Sequence, residues 1–132
     1  MEGVDLSPGF AYIDKVSGHP HIWVVVSHPD PQKHIAIVML TTRREHSNDS
    51  CILRSIDHRR LSHDTVIAFP LSTHIPQQRL AKLVEQRMYV EVERFNSEVL
   101  RRIQTAVARS LHVSRRIKRA TVEALEDSGW RD

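Results

Sequence analysis

The sequence predicts an α+β fold: a small β-barrel over residues 1–75, then a mostly helical region, 76–132, that packs on it. Three observations carry this. His21–Ser27 (HIWVVVS) and His34–Thr42 (HIAIVMLTT) are strand-like runs in tandem. Their apolar centres are rich in Val and Ile, whose branching at Cβ favours strands, and are too short to span a membrane. From residue 76 the apolar spacing shifts from every second residue toward every third or fourth, the spacing of a helix. Five short strands joined by tight polar turns suit an SH3-like barrel.

Element by element, Ser7-Pro8-Gly9 is a turn signal, and Gly9–Lys15 (GFAYIDK) alternates enough for a first strand. Ser17-Gly18-His19-Pro20 is a loop. His21–Ser27 is the second strand, closed by His28-Pro29-Asp30-Pro31, whose prolines lack the ladder N–H. Lys33–Thr42 is the third, and its unbroken apolar centre predicts burial on both faces. Arg43–Asp49 is a charged loop, Ser50–Ser55 a fourth strand, Ile56–His63 a loop and Asp64–Leu71 a fifth strand ending near Pro70. Pro76–Arg87 reads as a helix with Pro in its first turn and Leu80, Leu83 and Val84 at helical spacing. Met88–Arg94 alternates as a short strand. Asn96 or Ser97 caps the next helix, with Val99, Leu100, Ile103, Ala106, Val107 and Leu111 as its apolar stripe. Ser114 caps a last helix carrying Ile117, Ala120, Thr121, Ala124 and Leu125, stopped at Gly129.

The 132 residues suit one domain with an appendage. Hydrophobic residues at 40% and charged ones at 27% exclude a disordered chain, and 5% aromatics leave the core to Val, Ile, Leu and Ala. Cys51 is the single cysteine, so no internal disulfide can form, which favours a reducing cytosol. The start, MEGVDLSPG, lacks the basic and apolar regions of a secretory signal, so a cytoplasmic location is expected. The longest apolar run, Ile35–Leu40, is too short for a transmembrane helix. Net charge is +3 but uneven. Residues 77–119 hold eleven Lys/Arg against four Asp/Glu, and Arg101–Arg119 holds seven basic residues and no acidic one. Such a stripe attracts polyanions, although a solvated helical face has the same composition.

The pieces Gly18-His19-Pro20-His21-Ile22-Trp23-Val24-Val25-Val26-Ser27 and Val38-Met39-Leu40-Thr41-Thr42-Arg43 resemble the MazF/PemK-like toxins of type II toxin–antitoxin systems. The segment from Cys51-Ile52-Leu53 through Asp57-His58 to His63, and the stretch Glu98–Gln104, look like a divergent branch of that group. The resemblance covers roughly residues 9–75. It implies an SH3-like barrel, a homodimer, metal-independent cleavage of single-stranded RNA without a cofactor, and neutralisation by an antitoxin protein. Where the family offers an Arg-Pro pair in the strand-two loop, this chain has His21-Ile22. The Thr ending strand three is kept as Thr41 or Thr42, and Arg43 stands in for the missing Arg.

RNA cleavage without a metal needs a base for the 2′-hydroxyl, a cation for the phosphorane and an acid for the leaving oxygen. The catalytic candidates are His21 and His58 for proton transfer, Arg43 for charge, and Thr41 and Thr42 for positioning. Arg44, Arg59, Arg60, His63, Arg101 and Arg102 are candidates for contacting nucleic acid. Each has a plainer reading: His21 as the first residue of a strand, His58 and His63 as turn caps, the threonines as strand enders, and Arg43-Arg44 as a solvated loop. Trp23 suits the core or a dimer interface. His19-x-His21 with His58, His63 or Asp57 could form a zinc site, but no pair of histidines has helical i, i+4 spacing and no Cys pair exists, so no metal is expected. Cys51, inside a strand, reads as a buried thiol. A non-catalytic nucleic-acid or protein-binding module of the same barrel is the alternative to a ribonuclease.

Overall fold

The computed structural model describes residues 3–15, 18 and 20–129. In chain order these form β1 (Ala11–Asp14), β2 (Ile22–Val25), β3 (His34–Thr42), β4 (Ile52–Leu53), β5 (Thr65–Ile67), a 3-10 turn (Phe69–Leu71), β6 (Thr73–Pro76), α1 (Gln77–Glu85), β7 (Tyr89–Val92), α2 (Ser97–Arg109) and α3 (Arg115–Asp127). Of the loop expected at Ser17-Gly18-His19-Pro20, Ser17 and His19 lie outside the described residues.

The strands make one antiparallel sheet in the order β4-β5-β3-β2-β1-β7. β3 is the longest strand and organises the rest. One edge of β3 pairs with β2, Val38 facing Val24. Its other edge is shared, by β6 at Ile35↔Ile75 and by β5 at Thr41↔Val66. The α+β class holds, but the expected closed SH3-like barrel does not. β4 and β7 are the two ends of the path, and no ladder among the described residues joins them. Three local facts account for this. β4 has only two paired residues. The expected fifth strand breaks at Phe69-Pro70, where proline offers no N–H, into β5 and the 3-10 turn. β6, absent from the sequence reading, takes the remaining edge of β3. The short strand expected at Met88–Arg94 forms as β7, which pairs with β1 at Ile13↔Val90 and extends the sheet.

Both faces of β3 are covered, as its unbroken apolar run predicts. Ala36, Val38 and Leu40 join Val24, Ile103, Val107 and Ile117 in one cluster under α2 and α3. Ile35 and Ile37 join Phe10, Tyr12, Val25 and Leu80 in a second cluster, on the α1 side. There the rings of Tyr12 and Tyr89 stack at 4.7 Å, and Trp23 lies over Tyr12 at 6.5 Å. The α2 stripe is buried at Val99, Ile103, Ala106 and Val107, and a large aliphatic side chain buried this way contributes about 1.5–3 kcal/mol. Asn96 caps α2 by accepting from the Val99 N–H at 2.9 Å, and Ser114 caps α3 by accepting from Ile117 at 3.3 Å. Gly129 follows α3 with φ +90°, a left-handed conformation that glycine adopts without strain. Leu111, expected on the α2 stripe, is 89% exposed, because the helix ends at Arg109.

Candidate functional site

The ends of β2, β3 and β5 meet the 58–63 loop around a cleft of 260 Å³. His21 enters it from just before β2, Thr41 and Thr42 from the last two residues of β3, and Arg60, Ser62 and His63 from the loop. Strand register does part of the placing. Thr42 pairs with Thr65, so the end of β3 lies beside the start of β5. The Thr65 hydroxyl donates to the His63 carbonyl at 3.0 Å and ties that residue to the strand.

His58 shapes the loop from beneath. It is buried, and its ring packs on Phe95 at 4.4 Å between centroids. Its Nδ1 accepts from the Arg60 backbone N–H at 3.1 Å, which leaves Nε2 as the protonated nitrogen, donating to the Glu93 carbonyl at 2.7 Å. Both ring nitrogens are therefore engaged away from the cleft. The Leu61 N–H also bonds the His58 carbonyl at 3.0 Å, so this histidine fixes the turn that presents Arg60, Ser62 and His63.

The candidates thus separate into groups. His21, Thr41, Thr42, Arg60 and His63 share the cleft. Arg43 lies in a neighbouring depression with Arg44 and Asp64, and Thr42 and His63 line that depression as well. Its guanidinium makes a two-pronged bond to Asp49, at 2.9 and 2.7 Å, and this bond raises its pKa further. Arg59 pairs with Glu93 at 2.6 Å. Arg101, donating to the Ser128 carbonyl at 3.1 Å, and Arg102, bound to Asp57 at 2.9 Å and to the Ile52 carbonyl at 2.8 Å, line a separate groove along α2. Ser62 was not singled out from sequence. Its position between Arg60 and His63 was the available signal.

Among the described residues no group of three or more His, Cys, Asp or Glu is placed to hold a metal ion, and His19 lies outside those residues. Burial pushes the Cys51 thiol above its usual pKa, away from the reactive thiolate. No helix among the described residues is long and apolar enough to cross a membrane. The cleft therefore offers imidazoles for proton transfer, and hydroxyls and a guanidinium for holding an anion.

No family model, curated protein or solved structure matches this chain. The cleft must be interpreted from its own chemistry.

Proposed function

We propose that the chain is a metal-independent endoribonuclease of the MazF/PemK-like toxin kind, a cytoplasmic homodimer that cuts single-stranded RNA and is neutralised by an antitoxin protein. The supporting observation is that His21 and His63 line one cleft with Arg60, Thr41, Thr42 and Ser62. One imidazole takes the proton from a ribose 2′-hydroxyl, whose oxygen attacks the adjacent phosphorus. The other protonates the departing 5′-oxygen. The products are a 2′,3′-cyclic phosphate and a 5′-hydroxyl, and no water or metal is consumed. Arg60 offsets the extra negative charge of the phosphorane, while the hydroxyls donate to its oxygens. Arg60 replaces Arg43 in this role, because Arg43 is already neutralised by Asp49.

The test is cleavage of a labelled mixed-sequence RNA in EDTA. His21→Ala and His63→Ala each lower the rate by about 10²–10⁴-fold, Arg60→Ala by about 10²–10³-fold, and Lys82→Ala on α1 leaves it unchanged. A 2′-deoxy substrate is not cut. Activity that needs a divalent cation, or survives both histidine changes, overturns this function. The same cationic cleft favours a second reading, a non-catalytic nucleic-acid-binding module, whose signature is salt-sensitive RNA binding with no product.

A further inference from the structure

Ser62 lies in the loop between β4 and β5. Leu61 is buried and anchors this loop, while Arg59, Arg60, Ser62 and His63 are exposed. Residues 61–64 belong to no helix or strand, so another protein can reach them. Among the described residues none hydrogen-bonds the Ser62 hydroxyl, which leaves Oγ free to react. Arg59 and Arg60 stand three and two places before it, and no other Ser or Thr in the sequence follows arginines at both places. Charge patterns of this kind are what protein kinases use to choose substrates. Arg59 pairs with Glu93 at 2.6 Å, but both side chains are exposed, and such a pair parts at small cost.

The cleft suits what a kinase would add. Its lining holds Arg60, His21 and His63 and, among the described residues, no carboxylate. Arg60 makes no ion pair with a described residue, unlike Arg59 and Arg43. A phosphate on Ser62 brings about two negative charges and three acceptor oxygens to a guanidinium two positions away. We propose that Ser62 is the target of a Ser/Thr kinase that selects arginines ahead of its substrate hydroxyl, and that the phosphate it installs settles on Arg60 and closes the cleft. Ser62 Oγ attacks the γ-phosphorus of ATP, its proton passes to the base of the kinase, and the bond to ADP breaks as the new O–P bond forms. The phosphate then takes the place of an RNA phosphate and repels the rest of the strand. This last consequence rests on the ribonuclease reading of the cleft; the modification and the seating of the phosphate do not.

The test incubates the full chain with magnesium ATP and the catalytic subunit of an Arg-directed Ser/Thr kinase, then maps phosphate by mass spectrometry. One phosphoryl group per chain is expected, on Ser62. Ser62→Ala takes up none, and Arg59→Ala takes it up at least about tenfold more slowly, the loss of one charge-assisted contact. By phosphorus NMR the folded phospho-chain should titrate below the value of about 6 shown in urea, because Arg60 favours the dianion, and Arg60→Ala should narrow that difference. RNA cleavage by the phospho-chain should fall by about 10²–10³-fold, as when Arg60 is lost. Incorporation indifferent to Ser62→Ala or to Arg59→Ala overturns the inference. So does phosphate on Thr121, which follows Lys118 and Arg119 but is fully buried, since the kinase has then met an unfolded chain. A phosphorus titration identical in the folded and urea states refutes the seating in the cleft, and cleavage at the parent rate refutes its closure. A chain that cuts no RNA in either form refutes the ribonuclease instead, and the mapping and the titration still decide this proposal.

Discussion

Replacing Asp30 by Asn should expose how α3 is fastened to the sheet. Asp30 Oδ1 accepts from the backbone N–H groups of Gln32 at 2.9 Å and His34 at 3.0 Å, and Oδ2 accepts from Arg116 Nε on α3 at 2.8 Å. The side chains of the pair are 13% and 33% exposed. The Arg116 bond, followed by the two backbone donors, outweighs burial and holds the carboxyl at about 2, against an ordinary 3.8. At about 1.4 kcal/mol per pH unit, this depression corresponds to a ceiling of about 2.4 kcal/mol. Solvent reaches Arg116 in particular, which reduces the expected contribution to about 1–2 kcal/mol. A depressed carboxyl stabilises the fold above its unfolded pKa, so the contribution is complete above about pH 4 and drains away as pH falls toward 2. Asn keeps the turn acceptor and the shape but carries no charge. Asp30→Asn should therefore lower the melting temperature at pH 7 by about 4–8 °C, with the gap to the parent narrowing on acidification toward pH 2. Thermal melts by circular dichroism at pH 7, 4 and 2 read this directly. A variant that melts with the parent at pH 7, or a gap that stays constant down to pH 2, refutes the reasoning.

Ile103, fully buried beneath α2, should cost about 2–5 kcal/mol as Ile103→Ala in a urea titration, and a loss under about 1 kcal/mol would show that the helix contributes little to the main core. The Nδ1 atoms of His34 and His74 lie 2.8 Å apart, so one must donate and the other accept. Burial, then the nearby Arg116 and His34 charges, lowers the His74 pKa against the opposing pull of Asp30, so the fold prefers that imidazole neutral. Its stabilisation is present above about pH 6.5 and is lost as pH falls below it. His74→Gln should flatten the fall in melting temperature between pH 7 and 5, and an unchanged slope would place the acid sensitivity elsewhere.

What was legible in the sequence was local. The Asn96 and Ser114 caps and the apolar stripes of α2 and α3 mark both helices because caps and periodicity act within a few residues. Val and Ile crowding marks β3 for the same reason. β6 was not legible. Its residues, Thr73-His74-Ile75-Pro76, are half polar and end in proline, and they form a strand because β3, some forty positions earlier, offers a free edge. The cleft divided the same way. Strand ends at His21 and Thr41-Thr42 were visible. His58 looked like a reactive histidine because the Glu93 carbonyl and the Phe95 ring that occupy it are distant in sequence. Arg43 met its neutraliser, Asp49, inside its own loop, while Arg60 gained its place only through the fold of residues 58–63.

The sharing of one edge of β3 by two later strands has a consequence during synthesis. On the ribosome, β2 can zip to β3 early, yet the opposite edge of β3 stays bare at Leu40 until β5 has emerged and at Ile35–Ile37 until residue 76 has. A sticky, uncharged strand with open hydrogen-bonding groups is then on display, a template for pairing with neighbouring nascent chains. Slow translation between codons 43 and 76 would lengthen that interval and favour inclusion bodies, whereas chaperone shielding of this short window would suppress them.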